Sequence, residues 1–181
     1  MKKLSAALVF TILGCTSGFS REKSQCHETS KYFVIERPSG GTDFLIKYKT
    51  APGVTLACRY LVEPGDLEIR NQWAEYFLGL SGDLLILDSG TGNHGRRLIF
   101  WNMAKRKKVL NVPYSDPVEI KETAMTYWLE IGKASALSCP KYVKSEDEEE
   151  SMGAVIEAKV AMRLSDFSIT RSTQTRCAYR E

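Results

Sequence analysis

The chain has 181 residues, 43% of them hydrophobic and 26% charged, a length and apolar share that fit one domain with its own core. Its formal net charge of +3 falls to about +1 once Lys2 and Lys3 are set aside with an N-terminal leader. A surface that close to neutral does not mark a nucleic-acid-binding protein or a ligand of strongly anionic membranes, and no repeat of about 20–50 residues points to a solenoid.

Met1-Lys2-Lys3 is followed by an apolar run, Leu4 to Leu13, and then by the small residues of "GCTSGFS". This is the layout of a secretory signal, and the apolar run is too short to span a bilayer. Within it, "ILGC" (Ile12 to Cys15) resembles the lipobox of bacterial lipoproteins. The resemblance implies cleavage before Cys15 and a lipid on its sulfur; cleavage after Ser17 or Ser20 is the alternative. The expected division is a signal over residues 1–14, a polar tether over 15–30 and a β-rich domain over 31–181. The expected location is the periplasm or the periplasmic face of the outer membrane.

Setting Cys15 aside leaves an even set of cysteines, Cys26, Cys58, Cys139 and Cys177, as suits an oxidising compartment. Three pairings are possible. Cys26–Cys58 and Cys139–Cys177 are expected, because each closes a loop within one half of the chain. None of the four lies in a Cys-x-x-Cys pair, and the one histidine near them, His27, is adjacent to Cys26. No zinc site is therefore expected, nor any other metal or cofactor.

Strand patterns then follow at short intervals. They run over Lys31 to Glu36, Asp43 to Lys49 and Val54 to Val62, bounded by "RPSGGT", "APG" and "EPGD". "NQWAEYFLGL" mixes helical and strand spacing, and Glu75 to Leu80 is read as strand. "DLLILD", "RRLIFW", "KKVLNV", "VEIKE" and "MTYWLE" continue the series with no room for helical crossovers, which predicts an antiparallel meander. After a long polar connection, Ala154 to Leu164 alternates as a strand, with a helix as the runner-up, and "FSITRS" and "TRCAYR" close the chain. The predicted fold is mostly β: one antiparallel meander or sandwich domain held by two disulfides.

"ILDSGT" (Ile86 to Thr91) resembles the active-site loop of aspartic peptidases, in which an apolar strand delivers an aspartate into Ser/Thr-Gly. The resemblance implies a catalytic role for Asp88. It covers six residues, no second such motif exists, and a carboxylate dyad would require a homodimer. The downstream candidate "LEIG" is interrupted by Glu130. "DSGTGNHG" also carries three glycines and an asparagine between two β-prone runs, the composition of a hairpin turn, and a hairpin is the expected structure.

The tip of that hairpin bears His94, Arg96 and Arg97, and the basic run Lys105, Arg106, Lys107 and Lys108 forms a second cationic patch. These seven residues are the candidate binding set, as a docking edge for a partner. The acidic run Glu146 to Glu150 lacks the spacing of a calcium loop. "GLSGD" matches the nucleophile elbow only in part. The expected function is thus non-enzymatic: an exported, lipid-anchored module binding another envelope or exported protein, with an inhibitor or immunity protein as one form. It would meet the membrane only through the lipid on Cys15, and no nucleic acid. The alternatives are a homodimeric hydrolase using Asp88, and a structural part of an envelope assembly.

Overall fold

The computed structural model describes residues 24–38, 42–71, 74–90, 95–142 and 153–179, and among these it contains strands and no helix. Three four-stranded antiparallel meanders follow one another along the chain. The N-terminal sheet comprises β1 (Gln25–Glu28), β2 (Tyr32–Pro38), β3 (Thr42–Tyr48) and β4 (Leu67–Ile69). The central sheet comprises β5 (Glu75–Ser81), β6 (Leu84–Ser89), β7 (Arg97–Asn102) and β8 (Lys107–Pro113), and the C-terminal sheet β9 (Ser115–Ile120), β10 (Ala124–Lys133), β11 (Ala154–Arg163) and β12 (Ile169–Tyr179). In each sheet the spatial order is the chain order.

The sheets stack face to face, with the central one in the middle. Leu84, Ile86, Leu98 and Phe100 pack against Tyr114, Met125, Tyr127, Val160 and Met162 on the C-terminal side. The intervening residues Leu85, Leu87 and Ile99 pack against Tyr32, Val34, Phe44 and Ile46 on the N-terminal side. This double coverage is why "LLIL" and "LIF" are unbroken apolar runs, whereas a half-exposed strand would alternate. Each fully buried leucine or isoleucine contributes about 1.5–3 kcal/mol relative to exposure, and β6 supplies four buried apolar residues in succession.

Hairpin chemistry follows the sequence. Gly82, at φ +55°, occupies the first central position of the two-residue turn joining β5 to β6, where a left-handed backbone favours glycine. Two other hairpin turns place non-glycine residues in that region, Arg106 at φ 53° between β7 and β8 and Phe167 at φ 58° between β11 and β12.

Both expected disulfides are present, Cys26–Cys58 and Cys139–Cys177. Each ties a terminal edge strand, β1 or β12, to a loop.

Three readings differ from the sequence-based expectation. Val54 to Val62 is not a strand. Leu56 and Tyr60 pack on Phe33, Ile35 and Leu45 across the outer face of the N-terminal sheet, so the apolar spacing is satisfied by one-sided burial. The backbone turns on itself instead, with Arg59 N donating to Ala57 O (2.8 Å) and Leu61 N to Arg59 O (2.9 Å). In turn, Gln25–Glu28, inside the stretch read as a polar tether, is a strand paired with β2 from Gln25↔Glu36 to Glu28↔Phe33. The two closing runs also merge into one strand. Between Ala158↔Thr175 and Val160↔Arg171 the register shifts, leaving a bulge at Ser172 to Gln174 that interrupts the edge.

Candidate functional site

The side chain of Asp88 emerges where β6 runs out into the hairpin, and Arg96 returns eight residues later to meet it. Arg96 grips the carboxylate with two donors, Nε to Oδ1 at 3.2 Å and Nη2 to Oδ2 at 2.6 Å, the forked geometry that a guanidinium suits. Tyr114, on the link from β8 to β9 where the chain crosses from the central to the C-terminal sheet, donates its phenol to Asp88 Oδ1 at 2.6 Å. Burial, and then the neighbouring carboxylate, raise the Tyr114 phenol above the ordinary tyrosine range.

Arg96 also pairs with Asp116. The carbonyl of Asp116 accepts a hydrogen bond from Arg176 Nη2, and Arg176 Nε donates to Glu157 Oε2 at 2.6 Å. The Arg176 guanidinium lies 4.3 Å from the centre of the Trp128 ring. Glu130, Glu157 and Arg176 are in register across β10, β11 and β12 and therefore share one face. Two glutamates directly opposite one another repel, and Arg176 offsets that cost at Glu157, which is only 2% exposed.

These groups line a cleft of about 780 Å³ at one end of the central and C-terminal sheets. Tyr142 and Tyr179, with ring centroids 5.0 Å apart, stand on its wall beside the Cys139–Cys177 bridge. A guanidinium, and not a second carboxyl group, sits against Asp88, and both its oxygens accept hydrogen bonds. The set suits holding a polar surface in a fixed shape.

The candidate binding residues do not form one patch. Arg96 belongs to this cleft, whereas Lys105 to Lys108 lie at the far end of β7 and beyond. Arg97 is exposed and donates to Asn111 Oδ1 at 2.7 Å. Arg106 donates to the carbonyls of Gly65 and Asp66, fastening the β7–β8 turn to the loop before β4. Lys108 Nζ is 3.8 Å from Glu75 and lies over Trp101. Lys105 and Lys107 are exposed. His94, Cys15 and Glu146 to Glu150 lie outside the described residues. Among the described residues, no three His, Cys, Asp or Glu side chains are grouped to hold a metal ion.

Asp116, Glu157 and Arg176 were not singled out by the sequence, because they come from three separate strands. One signal was available: Glu157 interrupts an otherwise apolar stretch of β11. A second cleft, of about 690 Å³, lies between the hairpin tips at the opposite end of the same two sheets, and Leu84, Met162, Leu164 and Phe167 are among its lining. Family models, curated proteins and solved structures offer no match to this chain.

Proposed function

We propose that the protein is an exported, lipid-anchored, non-enzymatic module that binds another envelope protein through the Asp88–Arg176 cleft. The observation that carries this reading is the closure of Asp88 by Arg96 and Tyr114: the aspartate of the one catalytic-looking motif is a hydrogen-bond hub. Charged side chains already locked by partners lose little entropy on contact and present a fixed pattern of charge, which favours specificity in protein recognition. Two disulfides suit a compartment outside the reducing cytosol, and the leader with its lipobox-like "ILGC" supplies a route there.

The test is cross-linking in native membranes followed by identification of the captured protein. Tyr179→Ala and Glu130→Gln should abolish the cross-link while the fold survives, and Lys105→Ala with Lys107→Ala should leave it. Capture unaffected by the cleft variants, or hydrolysis of peptide substrates lost specifically in Asp88→Asn, would defeat the proposal.

A further inference from the structure

The loop between β3 and β4 lies beside the point where the chain leaves the fold toward Cys15. Cys58 is bonded to Cys26 on β1, and its sulfur is 3.6 Å from the carbonyl of Ser24. Three residues on, Leu61 and Val62 are 56% and 50% exposed, although both are apolar and adjacent. The exposed positions from Thr55 to Val62 also include Ala57 and Arg59. Arg59 forms no ion pair among the described residues, whereas the next charged residue, Glu63, is taken by Lys47 at 2.7 Å.

We infer that this loop is a second membrane contact, with Leu61 and Val62 entering the lipid interface and Arg59 meeting anionic headgroups. The inference rests on the proposed lipid at Cys15. Nine residue steps separate Cys15 from Ser24, so the fold is held within about 30 Å of the bilayer even at full extension. Within that reach the Cys26–Cys58 bridge keeps the loop and its exposed apolar pair beside Ser24. The lipid tethers the chain without orienting the fold, and a neighbouring apolar or cationic contact would add affinity and fix which edge faces the bilayer. The disulfide thus gives the loop a role besides covering the sheet: it turns a defined edge of the protein toward lipid and leaves the charged cleft free for a partner.

The test uses the mature full-length protein on vesicles of phosphatidylethanolamine and phosphatidylglycerol. Intact mass first establishes the lipid, and hydrogen exchange is then compared with unlipidated Cys15→Ser protein in the same vesicle suspension. Amides from Val54 to Glu63 should exchange at least about threefold more slowly in the lipidated protein, with no change at the C-terminal end of β12. Leu61→Asp with Val62→Asp should remove that protection without altering the mass of the lipid. Arg59→Glu should weaken it only when phosphatidylglycerol is present. A lipid on Cys15 with no slowing at Val54 to Glu63 overturns the loop contact and leaves the anchor standing. A mature protein without lipid overturns both. Slowing seen in native membranes but absent on pure lipid assigns the loop to a protein partner and also overturns the inference.

Discussion

Tyr114 and Asp88 share a 2.6 Å hydrogen bond although Asp88 lies in β6 and Tyr114 on the link from β8 to β9, so one carboxylate fixes the crossing from the central to the C-terminal sheet. Removing either partner should loosen that crossing. Asp88→Asn is expected to cost about 2 kcal/mol, discounted because Arg96 is partly solvated and also pairs with Asp116. Tyr114→Phe should cost about 1–2 kcal/mol. Urea unfolding midpoints check both, and partner capture by folded Asp88→Asn should fall only as far as the cleft is disturbed.

Phe167 inverts the usual ranking of alanine and glycine. Its ring meets Phe100 edge-on, with centroids 5.5 Å apart, but its backbone is left-handed. Phe167→Ala loses the packing and keeps the strain, for a cost of about 2–3 kcal/mol. Phe167→Gly loses the same packing and relieves the strain, so it should be about 1 kcal/mol more stable than the alanine variant. Thermal or urea denaturation of the pair decides it, and alanine at least as stable as glycine would refute the argument.

Tyr127 is 1% exposed and its hydroxyl is buried without a hydrogen-bond partner among the described residues. Tyr127→Phe removes a desolvated polar group from a packed site and should stabilise the fold by about 1 kcal/mol. A loss of stability in the same unfolding assay would mean that the hydroxyl finds a partner in solution.

The two bridges close loops with sequence separations of 32 and 38 residues. Each should contribute about 3–4 kcal/mol by restricting the unfolded chain. Cys26→Ser with Cys58→Ser, and Cys139→Ser with Cys177→Ser, should lower the urea midpoint by similar amounts. Hydrogen exchange should accelerate first in β1 in the former and at the C-terminal end of β12 in the latter.

Glu75 is 7% exposed, and burial raises its carboxyl above the ordinary glutamate range more strongly than Lys108 lowers it. The folded state therefore holds this proton more tightly than the unfolded chain. Its contribution is fully present below the unfolded value and is lost as the pH rises through the folded one. Glu75→Gln should raise stability at pH 7 and flatten the stability profile just above the ordinary glutamate range, as measured by urea midpoints across mildly acid pH.

The strands of the central and C-terminal sheets were legible in the sequence because they read as short apolar or alternating runs bounded by turn residues, and the cysteine pairing because each bond closes a local loop. β1 was not, since "QCHE" has no apolar pattern. It is held by pairing with β2, by its disulfide and by the His27 ring stacked at 3.5 Å on Phe77. Val54 to Val62 misled for the opposite reason: its alternation is real, but it records burial against a sheet and not membership of one. Asp88 stood out through its Ser-Gly-Thr context and Arg96 as a cation on the glycine-rich hairpin, each from a local motif. Their connection to Arg176 depends on how two sheets meet, and local periodicity carries no trace of that.

The bridge at Cys26 also determines how tension travels. A pull on the chain before Ser24 would otherwise peel the four residues of β1 from β2 one hydrogen bond at a time. The covalent link at Cys58 diverts the load after two residues into the loop seated on Phe33, Ile35 and Leu45. Force then has to shear a packed layer as a unit, a stiffer response than unzipping, so tension on the chain before Ser24 leaves the first strand in place.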